Sequence, residues 1–243
     1  MKNILNYKKS TSVSINGNKL EYRAAEIEIK HLNFWKGNPR IYTKVQLLEE
    51  NGTRDITKDD IYDELRKMKE FDKLLKEVKE NNYEIYESVW IGKDKETNEY
   101  IVYEGNTRLA VAMLLYKNHH KKLSKLNVNV YSDDTSIAAI RNHVIDFHVK
   151  GKAKWKSFEA HGMFYREVEY KFDVIKNYNK AIKEVANENN MSEPEIRMSH
   201  KIITFLKKHK IPLKIQSTKL TYFEELLRPK YDKMREKFND PSE

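Results

Sequence analysis

The chain of 243 residues contains no cysteine, which excludes disulfides, thiolate metal sites and cysteine nucleophiles. It is also short of helix breakers, with 7 glycines and 5 prolines, so loops should be few and helices should dominate. No apolar run approaches the roughly 20 residues of a membrane span, and no membrane partner is expected. The opening "MKNILNYKKSTSVSINGNK" lacks the apolar core and small-residue cleavage site of a secretory leader. A cytoplasmic, bacterial-type protein is the expectation.

Charge is abundant. Lysine and arginine number 46 against 37 acids, giving a formal net charge of +9. That balance favours polyanionic partners, with nucleic acid first among them. Because acids are interleaved throughout, a lysine-rich solvated surface is an equally good reading.

Periodicity divides the chain. Up to about residue 135 it reads as mixed α/β. "AAEIEIKHLNF" alternates Ile27, Ile29 and Leu32 with polar residues, as a half-buried strand does. "IYDELRKMKEFDKLLKEVKENN" repeats apolar residues at three- and four-residue steps, which predicts one amphipathic helix or two. "YEIYESVWIG" and "EYIVYEG" read as neighbouring strands, and "LNVNVYS" as another. From Ser136 to the end everything reads as helix. In "MSEPEIRMSHKIITFLKKH", Ser192 is a good N-cap, Pro194 suits the first turn and Glu195 completes a capping box; Ile196, Ile203 and Leu206 then form an apolar face. With "YNKAIKEVANENN" upstream, residues 181–208 make a helix-turn-helix-like pair.

The chemistry concentrates in "YEGNTRLAVAMLL". A strand runs into Gly105, which permits a tight turn, and Asn106 or Thr107 can cap the apolar helix that follows. Amides at a helix start favour negative charge, yet Arg108 places a cation there, against the dipole. Either a phosphate answers Arg108, or Glu104 does. A Walker A loop is excluded, because its glycine run and lysine are missing. Earlier, "GNPRIY" marks a turn at Asn38-Pro39 followed by Arg40. His143, Asp146, His148 and His161 share one helical region, but the spacing of His143 and His148 is wrong for a two-histidine helix site, and no metal is assigned. Trp155, Phe158, Phe164 and Tyr165 read as core.

The order "NPRIY", "FDKLLKEVKENNYEIYESVWI", "EYIVYEGNTRLAVAMLL", "VNVYSDD" resembles the ParB/sulfiredoxin superfamily over about residues 26–135. The resemblance implies an α+β fold: a ParB-like N-terminal domain with a small mixed sheet (1–135), then an all-α helix-turn-helix-like domain (136–243). It also implies that Gly105, Asn106, Thr107 and Arg108 cradle nucleotide phosphates, with Asn38 and Arg40 bordering the pocket. A nucleoside triphosphate, CTP or ATP, would be the ligand, with Mg2+ as its companion. DNA would be the partner of the helical half, read by Arg197 and His200 and held at phosphates by Lys150, Lys152, Lys154, Lys201, Lys207, Lys208 and Lys210. Glu193 and Glu195, early in the recognition helix, count against base reading. Relatives dimerise, so a homodimer is expected.

Departures qualify this. Thr107 stands where partition-type members carry a second arginine, and Arg141-Asn142 where they carry Glu-Asn, which puts Mg2+-dependent CTP hydrolysis in doubt. Asn106 replaces the sulfiredoxin cysteine, so that chemistry is excluded. An alternative is a nucleotide-dependent enzyme, a nuclease or small-molecule phosphotransferase, with Glu104 as general base. A third reading is an interaction module with a degenerate pocket. Plasmid partition and phage defence are the settings such proteins suggest.

Overall fold

The computed structural model describes residues 5–15, 18–41, 55–95, 97–118, 121–150 and 157–231. The chain forms two compact units, Met1–Val144 and Ile145–Glu243. Together they make the expected α+β arrangement, a mixed sheet with helices followed by a helical unit.

In the first unit, six strands form one sheet: β1 (Asn6–Ile15), β2 (Asn18–Glu28), β3 (Leu32–Phe34), β4 (Val89–Lys93), β5 (Tyr100–Glu104) and β6 (Lys125–Tyr131), in the order β1-β2-β6-β4-β5-β3. β4 runs parallel to β6, and β3 parallel to β5; the other neighbours are antiparallel. The single strand expected through Ile27, Ile29 and Leu32 is broken. A 3-10 turn at Ile29–His31 separates β2 from β3 and still buries Ile29, so the chain leaves its place between β1 and β6 and re-enters the sheet at the edge beside β5.

The long amphipathic segment is two helices, α1 (Lys58–Arg66) and α2 (Lys69–Glu80). Ile61, Leu65, Phe71 and Val78 bury the apolar stripe. α3 (Asn106–Lys117) is apolar nearly all round, and Leu109, Ala110, Val111, Ala112 and Leu115 are buried against the sheet core. α4 (Ile137–Ile145) joins the same unit, so the division falls after Val144, later than residue 135. The reason is packing: buried His143 sets its ring edge-on to Trp90, 4.4 Å between centroids, and Nδ1 lies 2.9 Å from the Tyr131 hydroxyl. Burial, with the negative charge of Glu104 nearby, pushes the Tyr131 phenol well above its ordinary range.

The second unit packs α5 (Ser157–Ile175), α6 (Tyr178–Asn189) and α7 (Glu193–Lys208) together, followed by α8 (Leu213–Thr218) and α9 (Leu220–Leu226). Ile196, Ile203 and Leu206 are buried as expected, and Ile202 joins them. Phe158 and Phe164 are core residues; Trp155 lies outside the described residues. Asn190 ends α6 in the left-handed conformation, and the chain turns into α7 within three residues.

Candidate functional site

The start of α3 depends on Gly105. Its φ of 91° lies in the left-handed region, and a Cβ there would sit 2.6 Å from Val89 Cγ1. Gly105 is the N-cap, and no side chain caps the helix. Neither Asn106 nor Thr107 takes the capping role expected of it, because tertiary contacts claim both. Asn106 is buried and its Oδ1 accepts from the Trp35 amide at 3.2 Å. Thr107 Oγ1 accepts from Arg40 Nη1 at 3.3 Å. The first-turn amides therefore keep their positive end without a side-chain acceptor.

The second turn arrives from the end of β3. Asn38 donates its amide to the Trp35 carbonyl at 3.1 Å, and its buried Oδ1 accepts from the Arg40 amide at 3.0 Å. The 3-10 turn Pro39–Ile41 then directs Arg40 at Thr107. Two motifs 67 residues apart thus meet side chain to side chain. Arg40 makes no ion pair with a described residue, so the cation beside the open helix start is Arg40.

Arg108 is answered from within. Nη2 donates to both Glu104 oxygens, at 2.8 and 2.6 Å, and Nη1 to the Ser88 carbonyl at 2.8 Å. Glu87 Oε2 lies 3.2 Å from Nη1. The Arg108 and Glu104 side chains are 14% and 11% exposed, so this is a nearly buried pair. Both oxygens of the candidate base are engaged. Ser88 and Glu87 carried no signal in the sequence; they reach Arg108 only because β4 lies beside β5.

A magnesium site finds no donor set here. No described group of three or more histidines or acids is gathered to hold a metal, Glu104 is held by Arg108, and Arg141-Asn142 supplies a cation where a carboxylate would be needed. His143 and His161 have protein partners, the latter set between Ser199 Oγ at 2.8 Å and Glu224 Oε1 at 2.9 Å.

In the helical unit, Ser192 caps α7 together with Glu195, whose Oε2 accepts from the Ser192 amide at 2.9 Å and its hydroxyl at 2.6 Å. These bonds hold the Glu195 carboxyl below the usual glutamate range. Arg197 is exposed and donates to Asn179 Oδ1 at 3.0 Å. His200 sits deeper than a base-reading residue would, stacked on Tyr165 at 5.1 Å with Nε2 2.8 Å from Glu169. Burial raises the Tyr165 phenol to about 12. Lys207 Nζ lies 4.6 Å above the Tyr165 ring. Lys208 and Lys210 are exposed and Lys201 is half-buried. Lys152 and Lys154 lie outside the described residues, as do His119, His120 and the segment 42–54 after Arg40. Of Lys150 only the backbone is described, in a π-helical turn.

Three solved structures are similar to this chain. A Pnob8-like ParB-N domain is 12% identical, matching 95% of this chain and 98% of its own at a TM-score of 0.45. The C-terminally truncated chromosome-partitioning protein ParB from Caulobacter crescentus, complexed with CTP-gamma-S, is 11% identical over 89% of this chain and 99% of its own, at 0.32. The same protein complexed to the centromeric parS site is 11% identical over 83% and 90%, at 0.35. At these identities the similarity concerns the fold. No family model and no curated protein matches the chain. Among the described residues no helix is long and apolar enough to cross a membrane.

Proposed function

We propose that the first unit binds the phosphates of a nucleotide at the start of α3 and that the helical unit docks on DNA. The observation that carries the first half is the approach of Arg40 to Thr107 beside a helix start that no side chain caps. A planar, permanently charged fork next to amides that no side chain caps suits a phosphate. Arg108 takes a different role from the one the motif implies: it braces the turn through Glu104 and Ser88, and Arg40 supplies the charge. CTP and ATP are the ligands to try. The described residues do not fit magnesium.

For the second half, α7 would present Arg197, Lys207 and Lys208, with the exposed Lys210 just beyond. Phosphate contacts of this kind position a protein without reading sequence. Partition, plasmid maintenance or defence are settings consistent with that pairing, and a homodimer remains part of the proposal.

Isothermal titration with CTP, ATP and ADP, each with and without magnesium, tests the first half against Arg40→Ala. Loss of about tenfold or more in affinity is expected for the variant. Absence of binding for every nucleotide would leave the degenerate-pocket interaction module, a reading favoured by the double engagement of Glu104. The enzyme reading is checked by turnover of labelled nucleotide and by plasmid nicking. Activity lost in Glu104→Gln with binding retained would revive Glu104 as a base. DNA binding should weaken steeply between about 50 and 200 mM salt, and salt-independent binding overturns the second half.

A further inference from the structure

Beneath the edge strand β3 lies a cavity of about 510 Å³, inside the range of about 300–1,000 Å³ common for small-molecule sites. It is framed by β3, the start of α1 and the turn between β4 and β5. None of its lining residues is Arg40, Thr107 or Arg108, and Trp35 adjoins both regions, with its ring here and its amide on Asn106. Phe34, Trp35, Ile61, Ile101, Tyr103 and Ile137 supply an aromatic and aliphatic wall. The Trp35 and Tyr103 rings meet at 5.6 Å with a 58° tilt, which leaves a stiff surface for a flat ring.

Two cations line this cavity, the exposed Lys36 and the deeper Lys58. Lys58 is half-buried, and among the described residues the one hydrogen-bond partner of its Nζ is the Leu32 carbonyl at 2.6 Å. An ammonium has three donors, so two remain for a ligand. No described carboxylate forms an ion pair with it; Glu99 and Asp59 act on it only at longer range. Burial pulls its pKa below the ordinary lysine range, a cost to the charged form that a bound anion would offset. At the rim, Asp94 accepts from the Thr97 amide and hydroxyl at 2.8 and 3.1 Å, and Glu99 is exposed. Lys36 and Lys58 offset the two rim acids, and a lining so balanced suits a single carboxylate better than a doubly charged phosphate.

We infer that this cavity binds a small aromatic monocarboxylate, its ring against Trp35 and Tyr103 and its carboxylate on Lys58 Nζ. Calorimetric titration of the full chain with 3-phenylpropanoate, phenyl phosphate and phenethylamine tests this. Saturable binding of 3-phenylpropanoate is expected, with the other two weaker by about tenfold or more. Lys58→Met should lose about tenfold, and Ile101→Trp, which fills the cavity, should abolish binding. Ile137→Trp fills it from the other side if Ile101→Trp fails to fold, as circular dichroism would reveal. Equal binding of phenethylamine or phenyl phosphate, affinity unchanged in Lys58→Met, or no binding of 3-phenylpropanoate would each overturn the inference.

Discussion

Two helices of this protein begin in opposite ways. α7 opens with Ser192 and Glu195, whose side chains close on each other and complement the helix dipole. α3 opens with a left-handed glycine, no side-chain cap, and an arginine at the position where α7 has its glutamate. A helix start that answers its own charge needs nothing further. One that leaves its amides uncapped and turns its third residue away is where the phosphate is proposed to bind. Both third residues reach backwards. Glu195 reaches the cap of its own helix, whereas Arg108 reaches past the cap to Glu104, in the preceding strand.

The largest effect should come from breaking the arginine side of that contrast. Arg108→Ala strands the Glu104 carboxylate in a nearly buried position, and a loss of about 3 kcal/mol in urea unfolding is expected. Replacing both partners together with apolar residues, Glu104→Leu with Arg108→Met, should cost clearly less, because no charge is then left alone. A double variant as unstable as Arg108→Ala would mean that the Ser88 and Glu87 contacts hold the turn.

Next comes the glycine. Gly105→Ala demands φ near 91° from a residue with a side chain and drives its Cβ into Val89, so about 2 kcal/mol of destabilisation is expected. A variant with wild-type stability would show that the turn can relax, and the open helix start would lose its structural basis.

The capped start should be more forgiving. Ser192→Ala is expected to lower stability by about 1 kcal/mol. That difference carries a pH signature. Glu195 has its pKa lowered in the folded state, so its contribution is present above the ordinary glutamate range and disappears as pH falls through the depressed value. Thermal melts from about pH 7 to about pH 3 should therefore show wild type and Ser192→Ala converging at the acid end. A gap that stays constant would assign the cost to the hydroxyl alone.

The smallest change is expected from Lys207→Gln. It should leave folding nearly untouched and reduce the salt slope of DNA binding by about one unit. A large stability loss instead would give the Tyr165 contact the leading role.

Much of the helical unit was legible because its signals are local. The capping box and the apolar face of α7 are both written within a few residues of each other. β1 was overlooked, although "SINGNK" carries the Asn-Gly pair that marks hairpins. The break at Ile29–His31 was hidden because the apolar residues of a 3-10 turn can keep an alternation that looks like one strand. His200 stands four residues after Ile196 and three before Ile203, at the border of the apolar face, and Tyr165 and Glu169 on α5 draw it inward from the base-reading role expected of it.

The sequence alone determined the strand-to-helix turn at Gly105, the helical character of the second half, and the two candidate partners of Arg108, a phosphate or Glu104. It also raised the question of which anion Arg108 meets. Tertiary structure decided the rest. The parallel placement of β3 beside β5 carries Asn38 and Arg40 to the start of α3, takes Asn106 and Thr107 away from capping, and opens the cavity under Lys58. Local periodicity cannot encode such meetings, because a hydrogen bond between residues 67 apart depends on the path of the sheet between them.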